Sequence, residues 1–438
     1  MEAKTKKLLQ LFDLLEPVPD DWLREAGSKS EGGEVKCLTC DNYKTVISAW
    51  RKALKWTDGL DCALSVMMAS ISSTMSVGDQ LWIKVVGPAS CGKSSLCEAL
   101  SVNRNYVYPK DTFTGLSSGY QTDQEGKENL SLVDKLDGKT LLINDGDTLL
   151  QMPNLTQIFS QLRAFYGRNL RSQFKNKMSK DHEAISTTVI ICGTSSLRSM
   201  DTSELGERFL DCVIMEGIDE DLEDEILWRV VNKSVKNMST EVDGRPETQQ
   251  SPEMTEAMSL TGGYIDYLRK NTQRKLDAIE VPEWALHKCM RLGKFVALLR
   301  SRPSKTQVET AEREFAARLV SQHSRLMLTL ALVLNRKKID KEVLRRTVKV
   351  ALDTSRGTTF MIVKYLHDKG EAPVNAIATH TGIYDAEVRK LLKFLRQIKV
   401  VTFKSAKLNG VKNRSNKPQW RLTNMMDKLY KSVMGETQ

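Results

Sequence analysis

The apolar positions of this chain change their period several times, and each change marks an element. Leu81-Trp-Ile-Lys-Val-Val86 is a short, nearly continuous apolar run that stops at a glycine, which predicts a buried strand; Leu141 to Ile143 and Thr188 to Cys192 repeat the pattern. Helical stretches separate these runs, and strands alternating with helices predict a parallel α/β sheet. Residues 1–60 read as amphipathic and helical, with a break from Gly27 to Gly33. Asn237 to Glu256 is polar, holds Gly244, Pro246 and Pro252, and is expected to be a surface loop. Further on, Thr306 and Glu309 have capping-box spacing, and Phe315, Leu319, Leu326, Leu330 and Val333 recur at helical intervals in a stretch free of Pro and Gly as far as Arg356. That stretch predicts a helical lid or bundle. From Thr358 the pattern predicts a helix ending at Gly370, a short one ending at Gly382, and a third carrying Val388, Leu391, Leu392, Leu395 and Ile398. Strand-like runs from Val400 to Lys404 and from Gln419 to Thr423 follow, joined by a basic loop, and three helices with a hairpin predict a winged helix.

Composition narrows the class. With 438 residues, 40% apolar and 27% charged, the chain can build several cores, and disordered and collagenous classes are excluded. Its 8 cysteines follow no framework spacing apart from Cys37-Leu-Thr-Cys40, which points to a reducing compartment such as the cytoplasm and to no disulfide scaffold. That pair lacks two further ligands for zinc and reads as a turn. The apolar run near the N-terminus is interrupted by Gln10, Asp13 and Glu16, and no apolar run reaches membrane-spanning length, so no membrane partner is expected. The net charge of +10 is unevenly placed. From Gly357 onward there are 15 Lys and Arg against 6 Asp and Glu, a balance of +9 that leaves +1 for everything before it. A basic terminal module on a near-neutral body points to a polyanion, and first to nucleic acid.

One motif carries chemistry directly. Gly87-Pro88-Ala89-Ser90-Cys91-Gly92-Lys93-Ser94 matches G-x-x-x-x-G-K-[ST] between a predicted strand and a helix starting near Ser95. In such a loop the glycines let backbone N–H groups wrap a β-phosphate, the lysine neutralises β and γ oxygens, and the hydroxyl ligates Mg²⁺. ATP and Mg²⁺ are therefore the expected cofactors, with Ser94 a metal ligand. The strand 141–143 ends in Asn144-Asp145-Gly146-Asp147. Either Asn144 stands for the metal carboxylate and Asp145 for the base, or Asp145 holds the metal and Asp147 serves nearby; Asp145 is needed in both. Thr194 after the third strand is placed to orient water, and Arg208-Phe209 follows Gly206-Glu207.

Phosphate loop, acidic strand end, Thr194 and Arg-Phe stand in the order seen in AAA+ ATPases. The stretch from Gly138-Lys-Thr-Leu-Leu-Ile-Asn-Asp to Gly206-Glu-Arg-Phe-Leu-Asp most resembles the minichromosome-maintenance helicases and related helicase-like ATPases of phages and mobile elements. The resemblance covers roughly residues 61–356 and, through the winged helix, most of the chain. It departs from the family in the Asn-Asp strand end, in Thr194 for the sensor asparagine, and in the lack of a recognisable N-terminal oligonucleotide-binding fold. It implies an AAA+ core over 61–236, a helical lid over 237–356, a winged helix over 357–425 and a tail over 426–438, after an N-terminal helical region over 1–60. It further implies a homo-oligomeric ring, commonly a hexamer, in which Arg208 is an arginine finger serving the neighbouring subunit and Arg313 or Arg318 is a lid arginine on the γ-phosphate. A hairpin before the sensor strand is implied to enter the pore, with Lys175, Lys177 and Lys180 on phosphates.

In the tail, Arg389, Lys393 and Arg396 recur along the polar face of the third helix, and Lys412 and Arg414 lie in the loop between the strands, so helix and loop together predict a DNA-binding face. The leading expectation is a helicase-like ATPase working on single- or double-stranded DNA in replication, alongside other replication proteins, in the host cytoplasm if the gene is a phage's. A replication initiator or helicase loader using ATP as an assembly switch stands second. A signalling or defence ATPase with a protein-binding winged helix stands third.

Overall fold

The computed structural model describes residues 35–110, 132–168, 170–173, 179–182, 184–199, 208–215, 224–225, 227–228, 231–232, 251–301, 315–355, 357–404 and 418–435. From Cys37 onward these residues belong to one compact unit. Helices α1 (Tyr43–Ala53) and α2 (Asp58–Ser72) come first, capped by Asn42 and Thr57, whose side chains accept from Lys44 N and Leu60 N. Helix α2 runs through residue 60, so the domain boundary expected there falls inside a helix.

The core is β1 (Trp82–Val86), α3 (Lys93–Ser101), β2 (Val107–Lys110), α4 (Leu132–Leu136), β3 (Thr140–Ile143), α5 (Gly146–Leu150), α6 (Leu155–Tyr166), β4 (Leu170–Gln173), β5 (Ser179–His182), β6 (Thr188–Gly193) and β7 (Phe209–Val213). Five of the strands form one parallel sheet in the order β2-β3-β6-β1-β7. The apolar runs foretold β1, β3 and β6. Edge strands β2 and β7 went unread, because Tyr108, Pro109 and Lys110 are only half-buried and the run Phe-Leu-Asp-Cys-Val is interrupted by a carboxylate.

Strand periodicity sorts the two faces. Trp82, Val86, Leu141, Ile143, Val189, Ile191 and Phe209 pack against Leu149, Phe159, Leu162 and Phe165 from α5 and α6. On that same face Lys84 and Asp211 form an ion pair at 3.1 Å, both side chains almost wholly buried. The opposite face carries Val85 with Cys192 and Cys212 beside it in register.

A helical layer follows: α7 (Pro252–Leu276), α8 (Glu283–Arg300), α9 (Ala317–Val333) and α10 (Lys341–Ser355). One expectation is corrected here. The polar stretch expected to remain loop to Glu256 becomes helix at Pro252, where Ser251 caps Met254 N and proline occupies the first turn, a position that lacks an intrahelical acceptor in any case. Within the stretch expected to form a helical lid or bundle, α9 ends at Asn335, which has φ 55°. Asn335 N donates to Leu332 O and Arg336 N to Ala331 O, the paired bonds that close a helix through a left-handed residue. Asparagine tolerates that conformation without a glycine, and its amide is held by Tyr43 N, the Tyr264 hydroxyl and Asp41 O. Thr306 and Glu309 lie outside the described residues.

The tail holds α11 (Gly357–Lys369), α12 (Val374–Thr381), α13 (Asp385–Gln397), the antiparallel pair β8 (Val401–Lys404) and β9 (Gln419–Leu422), and α14 (Asn424–Met434). Its helices and hairpin follow the expected pattern, while most of the expected tail 426–438 is helix α14, capped by Thr423. The architecture is thus α/β, with a five-stranded parallel sheet and mostly helical surroundings. Among the described residues no helix is long and apolar enough to cross a membrane.

Candidate functional site

The carboxyl ends of β1, β3 and β6 bring three of the sequence-predicted segments together. Leaving β1, the chain enters the loop 87–92, where Ser90 (φ 62°) and Gly92 (φ 94°) take left-handed conformations before α3 begins at Lys93. Gly92 needs glycine for its left-handed φ, and a Cβ there would lie 3.1 Å from Leu60 Cδ2; a Cβ at Gly87 would lie 2.7 Å from Cys91 Sγ, which would have to shift. The Lys93 ammonium turns back over the loop and donates to Gly87 O at 2.8 Å and Pro88 O at 2.6 Å. Ser94 and Ser95 lie in the first turn of α3, Ser94 exposed and Ser95 half-buried.

Gly87 N donates to Gly193 O at 3.2 Å, which ties the loop's entrance to the end of β6. One residue on, Thr194 N donates to Asp147 Oδ2 at 2.8 Å, and the other oxygen of that carboxylate is buried without a hydrogen-bond partner among the described residues. Thr194 Oγ1 is 2.9 Å from Ser196 Oγ. Asp145 has a different setting. It caps α5, accepting from Asp147 N, Thr148 N and the Thr148 hydroxyl. The Thr148 hydroxyl above all, with the two backbone donors helping, holds the Asp145 carboxyl below its ordinary value against an opposing effect of burial.

Beside the loop opens a cavity of about 990 Å³, whose walls include Pro88, Ala89, Thr194 and Ile214. Sequence reasoning did not anticipate its far wall, on α10. There Lys349 Nζ donates to Val213 O at 2.6 Å and to Asp353 at 2.7 Å, while Asp353 accepts from Val213 N at 2.8 Å. Two charged residues one helical turn apart thus dock α10 on the end of β7. Their spacing is visible in the sequence, but it is common on any helix surface, and only the edge strand gives it meaning.

Arg208 lies at the other end of the sheet. Phe209 is level with Trp82, and β-strands rise about 3.3 Å per residue, so Arg208 begins roughly 20 Å from Gly87 of its own chain. Its guanidinium lies 5.4 Å from the Tyr166 ring centroid, and its backbone oxygen accepts from Gln322 Nε2 at 2.7 Å. Burial, Arg318 and Arg163 lower its pKa. Arg318 therefore belongs to this end of the molecule, whereas Arg313 lies outside the described residues. Tyr166 is pushed up to about 12, chiefly by burial.

The strands β4 and β5 pair between α6 and β6, where the resemblance implies a hairpin. Lys180 is in β5; Lys175 and Lys177 lie outside the described residues, as do Lys412 and Arg414. Arg389, Lys393 and Arg396 are exposed along α13, with Arg389 3.6 Å from Asp385 and the Arg396 guanidinium 4.5 Å from the Phe403 ring centroid.

No protein-family model and no curated protein matches the chain.

Proposed function

We propose that the chain is an AAA+ ATPase that assembles into a ring and couples ATP to work on DNA, with a winged helix at residues 357–425. The observation that carries the reading is the division of labour along one sheet. The phosphate loop, Asp145, Asp147 and Thr194 gather at the carboxyl end, while Arg208 leaves the opposite end, out of reach of its own loop. An arginine so placed cannot reach a nucleotide on its own loop, which supports a role toward a neighbouring subunit's.

The residues fit ATP with Mg²⁺. Gly87 and Gly92 leave room for backbone to approach phosphate, and the buried, unpartnered Asp147 oxygen is of the kind a metal or its water would satisfy. When bound, Mg²⁺ would neutralise charge on the phosphates. Lys93 would exchange its carbonyl partners for phosphate oxygens, Ser94 and Asp145 would hold the ion, and Thr194, whose backbone N–H is held by Asp147, would orient water. Arg208 and Arg318 stand together for the neighbour's γ-phosphate. On α13, Arg389, Lys393 and Arg396 meet DNA phosphates.

Mixing two inactive variants tests the ring. Lys93→Ala keeps Arg208, and Arg208→Ala keeps its phosphate loop, so a mixture should regain ATPase activity, while Arg208→Ala alone should bind ATP and lose about 10³-fold in turnover. A silent mixture of co-assembled variants would refute service in trans.

One observation favours a second reading, an initiator or loader in which ATP switches assembly. Asp145 is already engaged by three donors of α5, which suits binding better than rapid hydrolysis. Single-stranded DNA should stimulate turnover in the first reading and leave it slow in the second.

A further inference from the structure

We propose that the C-terminal module closes the nucleotide pocket, with Lys364 of α11 contacting the nucleotide held by the phosphate loop. The inference rests on the nucleotide-binding reading above. The cavity that Pro88 and Ala89 open onto is walled on the opposite side by Phe360, Met361 and Lys364 of α11 and by Met434 of α14. These residues belong to the module that the chain's charge distribution assigns to DNA.

The wall is firmly docked. Phe360 meets the buried Phe295 of α8 edge-on at 6.4 Å, and Tyr430 of α14 meets the same ring at 6.1 Å. Lys288, fully buried on α8, donates to Ser432 O at 2.8 Å and Val433 O at 3.0 Å, satisfying carbonyls at the C-terminal end of α14. The Phe360 contact thus docks α11 on α8, and the Tyr430 contact with the buried cationic cap docks α14 there.

The cavity's chemistry selects the ligand. The first residues of the loop, Gly87 to Ala89, line the cavity; Ile214, Leu352 and Phe360 supply apolar surface, and Arg345 and Lys364 supply charge. Lys349 is occupied by Val213 O and Asp353, and Arg345 by Glu342, whereas Lys364 stands exposed at the rim. Apolar surface with a few convergent polar groups beside a phosphate loop fits the base and ribose of a nucleotide and leaves Lys364 to an anionic or hydroxyl edge. A ligand that touches both the loop and α11 must also steady the docked module, because linkage is reciprocal.

The test uses the full chain, Mg²⁺ and a non-hydrolysable ATP analogue in calorimetric titration. Removing one charge-assisted contact should weaken binding by about tenfold in Lys364→Ala, while Lys369→Ala, further along the same helix, should bind as the parent does. Hydrogen exchange over residues 357–369 should slow when the analogue is added to the parent and stay unchanged in Lys93→Ala. A parent that binds while Lys364→Ala matches it, with no change in exchange over α11, overturns the inference and leaves the nucleotide reading standing. A parent that fails to bind overturns both.

Discussion

Two carboxylates two residues apart do different work because their neighbours differ. Asp145 caps a helix, and asparagine is as good a cap as aspartate, so Asp145→Asn should fold normally, keeping the bonds from Asp147 N and Thr148 N, and lose ATP turnover. Asp147→Asn can still accept from Thr194 N but loses a buried charged oxygen. A fall in turnover as large as that of Asp145→Asn would make it the second carboxylate of the site. Circular dichroism beside the ATPase assay separates folding from chemistry in both. His323 makes a separate prediction. It is fully buried on α9, neither ring nitrogen has a hydrogen-bond partner among the described residues, and burial, with Arg300 adding to it, pushes the imidazole down to about 3. The unfolded chain takes up a proton below about 6.5 that the folded chain refuses, so stability falls with acidification by up to about 1.4 kcal/mol per pH unit. Denaturant midpoints from about pH 7 to about pH 5 should fall less in His323→Leu than in the parent.

At the level of secondary structure, the pair Lys84 and Asp211 joins β1 to β7 inside the main core. Breaking a buried pair strands the remaining charge, whereas replacing both partners does not. Lys84→Met alone should cost about 3–5 kcal/mol in urea unfolding, and Lys84→Met with Asp211→Leu should recover most of that loss. The same pair explains why β7 was hard to read, since a carboxylate in the middle of a five-residue strand suppresses the apolar signal until its partner on β1 is known. The helix break at Asn335 is similar. The spacing of Leu326, Leu330 and Val333 predicted a helix correctly, but asparagine ends it by taking a left-handed conformation clamped by Tyr43 and Tyr264, both distant in sequence.

Over the full chain, the positive charge of the tail and the loop from Gly87 lie far apart in sequence, and the fold brings their segments together around one cavity. Charge on the exposed face of α13 predicts a salt-dependent affinity for DNA. Replacing Arg389, Lys393 and Arg396 together with alanine should reduce the slope of log affinity against log salt by about one unit for each phosphate no longer neutralised, up to the three charges removed. Duplex titrations across a salt series would show it, and an unchanged slope would assign α13 to a protein partner. Basal turnover should stay close to the parent's, because α13 is not part of the cavity wall.

Features that depend on near neighbours were legible in the chain alone: the central strands, the glycine-bearing turn from β1 into α3, the acidic strand end, the tail's helices and hairpin, and the basic face of α13. These follow from periodicity, turn chemistry and motif spacing, each settled within about ten residues. Features that depend on distant segments emerged only in the folded molecule. Folding set β7 and β2 at the edges of the sheet, put Arg208 at the end away from its own loop, docked Lys349 and Asp353 on Val213, and turned α11 into a wall of the cavity. An edge strand, a buried ion pair and a pocket wall draw their free energy from partners scores of residues away, and a local pattern carries no record of those partners.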